Sequence, residues 1–295
     1  PTLQAGTVAV EDKLFEMMGE VQSDRLYRHV EALVGFRTRH VNSSQTSANE
    51  GIGAAYRYIV DQFVAIQNQA PQGSFNVLES GHEFTAYVEG VESIQYNAVA
   101  ILNGTETGAG VIVVGAHYDS RTDDLLNSSA DAPGAADNGS GVAAVIELAR
   151  ILSQYPQRST IMFVLFSAEE HNRQGSRSFV QDYLKPFNLD IIGMVNIDTI
   201  GSWNNSRGEI NDTQLRVFSS DQLNSRQMAR MADFIYYGYD LDDTLQVVMQ
   251  DSLDREGRYG DHFSFDEAGY PAVRFIEFYE DSYNREGRDT LDKVE

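Results

Sequence analysis

The segment Thr160-Ile-Met-Phe-Val-Leu-Phe-Ser-Ala-Glu-Glu170 joins an apolar run to two adjacent carboxylates. An uninterrupted apolar run of this length is typical of a β-strand buried on both faces, as in a sheet with helices on each side. Ligands of such sheets bind beyond the carboxyl ends of the strands. Glu169 and Glu170 are therefore predicted to lie at an active site.

The rest of the chain reads as helices first and then as alternating strands and helices. Helical spacing of apolar residues predicts helices at 10–21, 23–34, 47–69, 139–155, 174–184 and 221–237. Apolar runs predict strands at 96–102, 110–117, 160–167, 191–197, 215–219, 245–249 and 272–277. We therefore predict an α/β fold with a mixed, mostly parallel central sheet and helices on both faces. The length favours a single domain, residues 1–295, on which residues 1–70 pack as a helical N-terminal part.

Charge and composition exclude several classes of partner. With 44 acidic and 22 basic residues the net charge is −22, which disfavours nucleic acids and anionic membranes and leaves peptides among the candidate substrates. No run of about 18 apolar residues exists, so no membrane span is expected. The absence of Cys excludes disulfides, thiolate ligands and thiol nucleophiles. Nothing in the sequence predicts the oligomeric state.

An extracellular or cell-surface location is expected from the acidity and from the glycosylation sequons. The chain begins Pro1-Thr-Leu3, with neither an initiator Met nor a signal segment, which is typical of a processed protein. Asn-x-Ser/Thr sequons, which permit glycosylation of an exported protein, occur at Asn42, Asn103, Asn127, Asn138, Asn204 and Asn211.

Three more acid or imidazole groups stand at strand ends or in a Gly-rich turn. They are His117, Asp137 and Asp198. Each has a structural explanation alone, such as turn formation or helix capping. Together they offer the imidazole nitrogen and carboxylate oxygens that zinc takes when no Cys is available. The set therefore predicts a metal centre, in which Asp137 could bridge two ions that activate water and polarise an amide carbonyl.

The two adjacent glutamates are predicted to have different roles at this centre. Glu170 is predicted to be a metal ligand and Glu169 the general base, because a carboxylate beside the metal but not bound to it can move a proton. Asp119 lies two residues beyond His117 and is predicted to fix the imidazole tautomer from outside the ligand set. The competing interpretation is a solvated Glu-Glu pair with no catalytic role.

Five short motifs surround the candidate residues: Gly115-Ala-His-Tyr-Asp-Ser120, Gly134-Ala-Ala-Asp-Asn-Gly-Ser-Gly141, Phe166-Ser-Ala-Glu-Glu170, Asn196-Ile-Asp198 and Gly260-Asp-His-Phe-Ser-Phe265. Through these motifs the chain resembles the co-catalytic zinc aminopeptidase family over roughly residues 96–295. The resemblance implies a three-layer sandwich and two zinc ions, with His117, Asp137 and Asp198 on one ion, Asp137 bridging, Glu170 on the second ion, and Glu169 as the base.

The chain departs from the family at the fifth metal ligand. The resemblance implies a late His, but Arg285 stands at that position, and a guanidinium has no lone pair to offer. His262 is a candidate substitute, although its motif is not normally the liganding one in the family, which favours a structural or supporting role. Water or Glu286 could compensate instead. The second ion is thus the part of the centre that this sequence alters.

Three functions follow from these residues. The leading one is a zinc-dependent exopeptidase, specifically an aminopeptidase that hydrolyses N-terminal residues from peptides. The alternative is a catalytically impaired member of the family that acts as an extracellular binding or structural protein. A glutaminyl cyclase, also related by resemblance, is disfavoured because its single-zinc pattern uses the late His and does not need His117.

Overall fold

The computed structural model describes residues 12–205, 207–238, 245–280 and 288–294. Its helices are α1 (Asp12–Gly19), α2 (Ser23–Gly35), α3 (Ile52–Gln69), α4 (Gly141–Leu152), α5 (Gln174–Ser178), α6 (Leu223–Gly238) and α7 (His262–Glu267). Its strands are β1 (Phe75–Val77), β2 (His82–Val88), β3 (Val91–Leu102), β4 (Val111–His117), β5 (Thr160–Phe166), β6 (Ile191–Ile197), β7 (Gln214–Ser219), β8 (Gln246–Met249) and β9 (Ala272–Glu277). Single turns of other helix types span Ala135–Ser140, Phe179–Leu184 and Leu291–Lys293.

The strands form one mixed sheet in the order β1-β3-β5-β4-β6-β9-β7-β8, with β2 paired to β3. The four central strands, β5, β4, β6 and β9, pair in parallel, and β7 pairs in parallel with β8. Antiparallel pairing joins β1 and β2 to β3, β3 to β5, and β7 to β9. The predicted mixed α/β sheet is confirmed, and its parallel part is the centre.

Strand β5 is buried on both faces, as its apolar run predicts. Phe163 and Leu165 pack into the cluster under α3 and α4, while Phe166 and its neighbours on the opposite face pack against Phe179 and Phe265. Alternate residues of a strand point to opposite faces of the sheet. Strand β5 therefore contributes to the hydrophobic clusters on both faces of the sheet, and this packing fixes the position of its carboxyl end.

The predicted strands did not include β1 or β2, and β3 begins at Val91 rather than at residue 96. Residues 82–88 alternate strictly between buried and exposed positions, which is the pattern of a strand with one solvated face. The chain turns between β2 and β3 at Glu89 and Gly90, which both have positive φ, of 47° and 91°. That turn is characteristic of a tight two-residue hairpin.

Helix α2 packs against α4 and the turn that precedes it. Val30 of α2 contacts Ala135 and Ala143, and Leu33 belongs to the main core. Residues 10 and 11 of the first predicted helix lie outside the described residues, and helix α3 begins at Ile52 rather than at residue 47. The single-domain assignment stays a prediction. None of the described helices is long and apolar enough to cross a bilayer.

Candidate metal centre

Three predicted ligands converge at the carboxyl edge of the central parallel strands. His117 ends β4, Asp198 follows β6, and Asp137 lies in the turn before α4. His117 Nε2 is 3.2 Å from Asp137 Oδ1 and 3.4 Å from Asp198 Oδ1. One ligand atom from each of the three residues lies within 4.8 Å of the others. The edge thus offers a compact group of one imidazole and two carboxylates.

The turn that carries Asp137 is fixed by buried polar contacts. Asn138 is fully buried, and its Nδ2 donates to the carbonyl of Ile197 at 3.0 Å. Its Oδ1 accepts from the amides of Gly141 at 2.9 Å and Thr199 at 3.0 Å. These bonds tie the turn to the end of β6, so that Asp137 is held beside Asp198. They also leave no room for a glycan at the Asn138 sequon.

Asp119 organises the loop that carries both glutamates. Its Oδ1 accepts from the amide of Glu169 at 3.0 Å, and its Oδ2 accepts from the amide of Glu170 at 3.1 Å. His117 Nδ1 lies 3.1 Å from the backbone carbonyl of Asp119 and 3.6 Å from its Oδ1. The carboxylate therefore contacts the glutamate loop more directly than the imidazole that it was predicted to orient.

Glu169 faces the ligand group. Its Oε2 is 4.0 Å from His117 Nε2, and its side chain is 13% exposed. Burial raises the pKa of Glu169 well above its usual range; the charge of His117 opposes this, and the carboxylates of Asp261 and Asp198 reinforce it. A carboxyl group in this setting holds a proton readily, which suits a residue that moves one.

Glu170 lies in a different setting, because an arginine binds it. Arg121 Nε donates to Glu170 Oε2 at 2.7 Å, and both side chains are nearly buried. Glu170 does not belong to the ligand group that the described residues form. Arg285 and Glu286, the residues considered for the fifth ligand position, lie outside the described part of the chain.

His262 also lies outside the ligand group. It is fully buried at the start of α7, with Nε2 3.0 Å from the carbonyl of Leu253 and 3.7 Å from Asp254 Oδ2. Burial lowers the pKa of His262, against the negative charge of Asp254. These contacts agree with a structural role for the imidazole rather than with metal ligation.

Sequence reasoning missed several residues that hold the centre in place. Arg274 on β9 lies 3.0 Å from Asp198 Oδ2 and 2.9 Å from Asp254 Oδ2. Asp289 accepts from the amides of Ala136 and Asp137, both at 2.8 Å. No local pattern reveals these contacts, because each joins segments that are distant in sequence.

The electrostatics of the group fit a divalent cation. Burial alone would lower the pKa of His117, but the charges of Asp198 and Glu169 raise it well above its usual value. For Asp198, burial is overcome by Arg274 and His117, which lower the pKa. The imidazole therefore lies in a strongly negative setting that would equally favour a metal ion. One nitrogen and two oxygen donors match a zinc site with three protein ligands and an open position.

Comparisons with known proteins point in the same direction. The model of peptidase family M28 matches residues 97–295. A probable zinc metalloprotease of the fungus Pyricularia oryzae is 36% identical over 92% of this chain and 58% of its own length. Another, of Pyrenophora tritici-repentis, is 31% identical over 92% of this chain and 67% of its own length. The chain thus spans only about three fifths to two thirds of these relatives.

Solved structures share the fold. The LapA aminopeptidase of Legionella pneumophila superposes with a TM-score of 0.74 at 20% identity, over 99% of this chain and 73% of that one. The glutaminyl cyclase of Porphyromonas gingivalis superposes with a TM-score of 0.69 at 16% identity, over 93% of this chain and 92% of that one. At these identities the likeness concerns the fold alone.

Proposed function

The chain belongs to peptidase family M28, and from that membership we propose that it is a zinc-dependent aminopeptidase that hydrolyses N-terminal residues from peptides. One observation carries the proposal. The convergent group of His117, Asp137 and Asp198 lies next to a buried carboxyl group, Glu169, that is not part of it. A non-catalytic binding protein, the alternative, is not favoured, because it would not need this arrangement.

In the proposed mechanism, His117, Asp137 and Asp198 hold the metal. Zinc bound there would supply a Lewis acid and lower the pKa of a water molecule. Glu169 takes a proton from the attacking water and returns it to the leaving amine. Asp119 is a positioning residue, because its carboxylate holds the amides of Glu169 and Glu170.

The edge of the site suits the free ammonium of a peptide. Asp137, Glu169, Asp198 and Glu280 line the same cavity. Among the described residues, no arginine forms an ion pair with Asp137 or Glu169, and carboxylates beside the reacting bond attract a cationic group. The N-terminal amine of a substrate therefore has a natural place beside the proposed metal ligands.

We expect the purified protein to contain zinc and to hydrolyse aminoacyl anilides. Elemental analysis would detect the metal, and hydrolysis of an anilide panel would stop with a chelator and return when zinc is restored. A metal-free protein that stays inert across the panel after zinc addition would overturn the proposed function. An N-terminally acetylated peptide serves as the control, because an aminopeptidase needs a free amine.

We further propose that one zinc binds tightly, not two. Glu170, the ligand expected for a second ion, is engaged by the guanidinium of Arg121, whose positive charge lies where a second cation would be repelled. Glu170→Gln is therefore expected to leave the zinc stoichiometry at about one per chain, whereas Asp198→Asn lowers it. Calorimetric titration of the zinc-free protein measures both. A wild-type stoichiometry of two that falls to one in Glu170→Gln would contradict the proposal.

We also propose an extracellular location, from the acidity of the chain and its sequons. Asn103 is exposed and is the proposed glycan acceptor, whereas the burial of Asn138 excludes that sequon.

A further inference from the structure

The cavity beside the candidate metal centre has a volume of about 290 Å³, and five arginines of the described residues line it. Four of them pair with carboxylates. These pairs are Arg121 with Glu170, Arg274 with Asp198 and Asp254, Arg255 with Asp254 and Glu280, and Arg258 with Glu280. Their charges are therefore compensated within the protein.

Arg173, the fifth, is different. Within the described part of the chain it makes no ion pair, although only 7% of the residue is exposed. Its guanidinium carbon lies 4.8 Å from the ring centre of Phe263 and 5.6 Å from that of Tyr259. Nη1 donates to the carbonyl of Tyr259 at 3.0 Å and Nη2 to Asn172 Oδ1 at 3.5 Å, while the buried Nε has no hydrogen-bond partner among the described residues. Arg173 is thus a desolvated cation that retains an unused donor.

The backbone fixes Arg173 close to the proposed general base. The amide of Arg173 donates to the carbonyl of Glu169 at 2.8 Å. Asn172 and Arg173 both have positive φ, of 72° and 55°, so the chain turns sharply between the glutamates and α5. The aromatic rings then hold the plane of the guanidinium, because arginine stacks on aromatic faces. The guanidinium, for which the described residues offer no ion pair, therefore has a defined place in the cavity that Glu169 also lines.

We propose that Arg173 is a specificity-determining residue that binds a carboxylate of the substrate. A buried cation without a counter-ion is costly, and a carboxylate placed in the cavity against the guanidinium forms a strong, charge-assisted hydrogen bond. The carboxylate can come from an acidic N-terminal side chain or from the C-terminus of a dipeptide. This inference rests on the proposed aminopeptidase function, and it names the substrates which that site prefers.

The test compares wild type with Arg173→Gln on two matched substrate pairs. The first pair is the anilides of Glu and Leu, and the second is the dipeptide Leu-Leu and its C-terminal amide. The ratio of kcat/KM for one carboxylate substrate over its neutral partner is expected to fall about 10–100-fold, the effect of losing a hydrogen bond to a charged group. Which ratio falls identifies the source of the carboxylate.

A matched control lies four residues further along. Arg177 on α5 is 41% exposed at its side chain and does not line this cavity; its nearest carboxylate, on Glu267, is 3.8 Å away. Arg177→Gln should leave both ratios as in wild type. Arg173→Lys, which keeps the charge but not the planar fork, should give an intermediate ratio and guards against a folding defect in the Gln variant.

A binding measurement separates this inference from the proposed function. Titration of the zinc-loaded protein with Glu, Leu, Leu-Leu and Leu-Leu amide measures the affinity of each ligand, and this measurement does not require hydrolysis. If no substrate is hydrolysed, the aminopeptidase proposal is overturned, but the affinities still test the role of Arg173. Weaker binding of a carboxylate ligand to Arg173→Gln, with neutral ligands less affected, supports the inference. Equal ratios and equal affinities in wild type and Arg173→Gln overturn it.

Discussion

Replacing Glu169 by Gln is expected to lower kcat by about 10²–10⁴-fold, the usual contribution of a positioned general base. Gln keeps the shape of the side chain but cannot accept the proton of an attacking water. The backbone amide at position 169 still donates to Asp119, so the loop stays in place. The loss should appear in kcat rather than in the zinc content.

Two measurements decide this prediction. Steady-state kinetics on an aminoacyl anilide gives kcat, and elemental analysis gives the zinc content of the same sample. Glu267→Gln is the matched control, because that carboxylate is 47% exposed at its side chain and lies outside the cavity. A Glu169→Gln enzyme with kcat near the wild-type value would disprove the assignment of the base.

The central sheet was predictable because each of its strands is a short apolar run that can be recognised in the local sequence. β5 is apolar and buried on both faces, most of β6 is buried, and the polar residues at their carboxyl ends mark the site. β2 was not predicted, because every second residue is exposed and the strand therefore contains no continuous apolar run. Whether two neighbouring strands pair in parallel or antiparallel depends on which strands lie side by side in the sheet. The sequence pattern of a single strand does not contain that information.

The candidate ligands were predictable for the same reason, since they follow strands or lie in a Gly-rich turn. The residues that hold these ligands in place were not predictable. Arg274 forms an ion pair with Asp198, and Asp289 accepts from the amide of Asp137, across 76 and 152 residues of sequence. Nothing in the local sequence distinguishes either residue. Arg121 directly follows a motif residue, Ser120, but its contact with Glu170 depends on the approach of two loops that are distant in sequence.

Arg39 is the most deeply buried of these supports, and its loss is expected to be severe. The side chain is fully buried, and its guanidinium donates to the backbone carbonyls of Leu33, Tyr118, Pro133 and Gly134. Burial lowers the pKa of Arg39 to about 10, against the opposing charges of Asp289, Asp119 and Asp137, so the group is still cationic at neutral pH. One side chain thereby joins the strand end at Tyr118 to the turn that carries Asp137.

Arg39→Met is expected to reduce the free energy of unfolding by about 3–5 kcal/mol, since an unmet buried polar group costs about 1–3 kcal/mol and some of the four carbonyls will find water. Zinc affinity should fall in parallel, because the turn at Gly134 loses its anchor. Denaturant unfolding of the zinc-free protein and a zinc titration measure the two effects. Arg158→Met is the control, because its side chain is 75% exposed and its pairing with Glu106 is worth at most about 1 kcal/mol. If both variants unfold at the same denaturant concentration, Arg39 does not hold the site together.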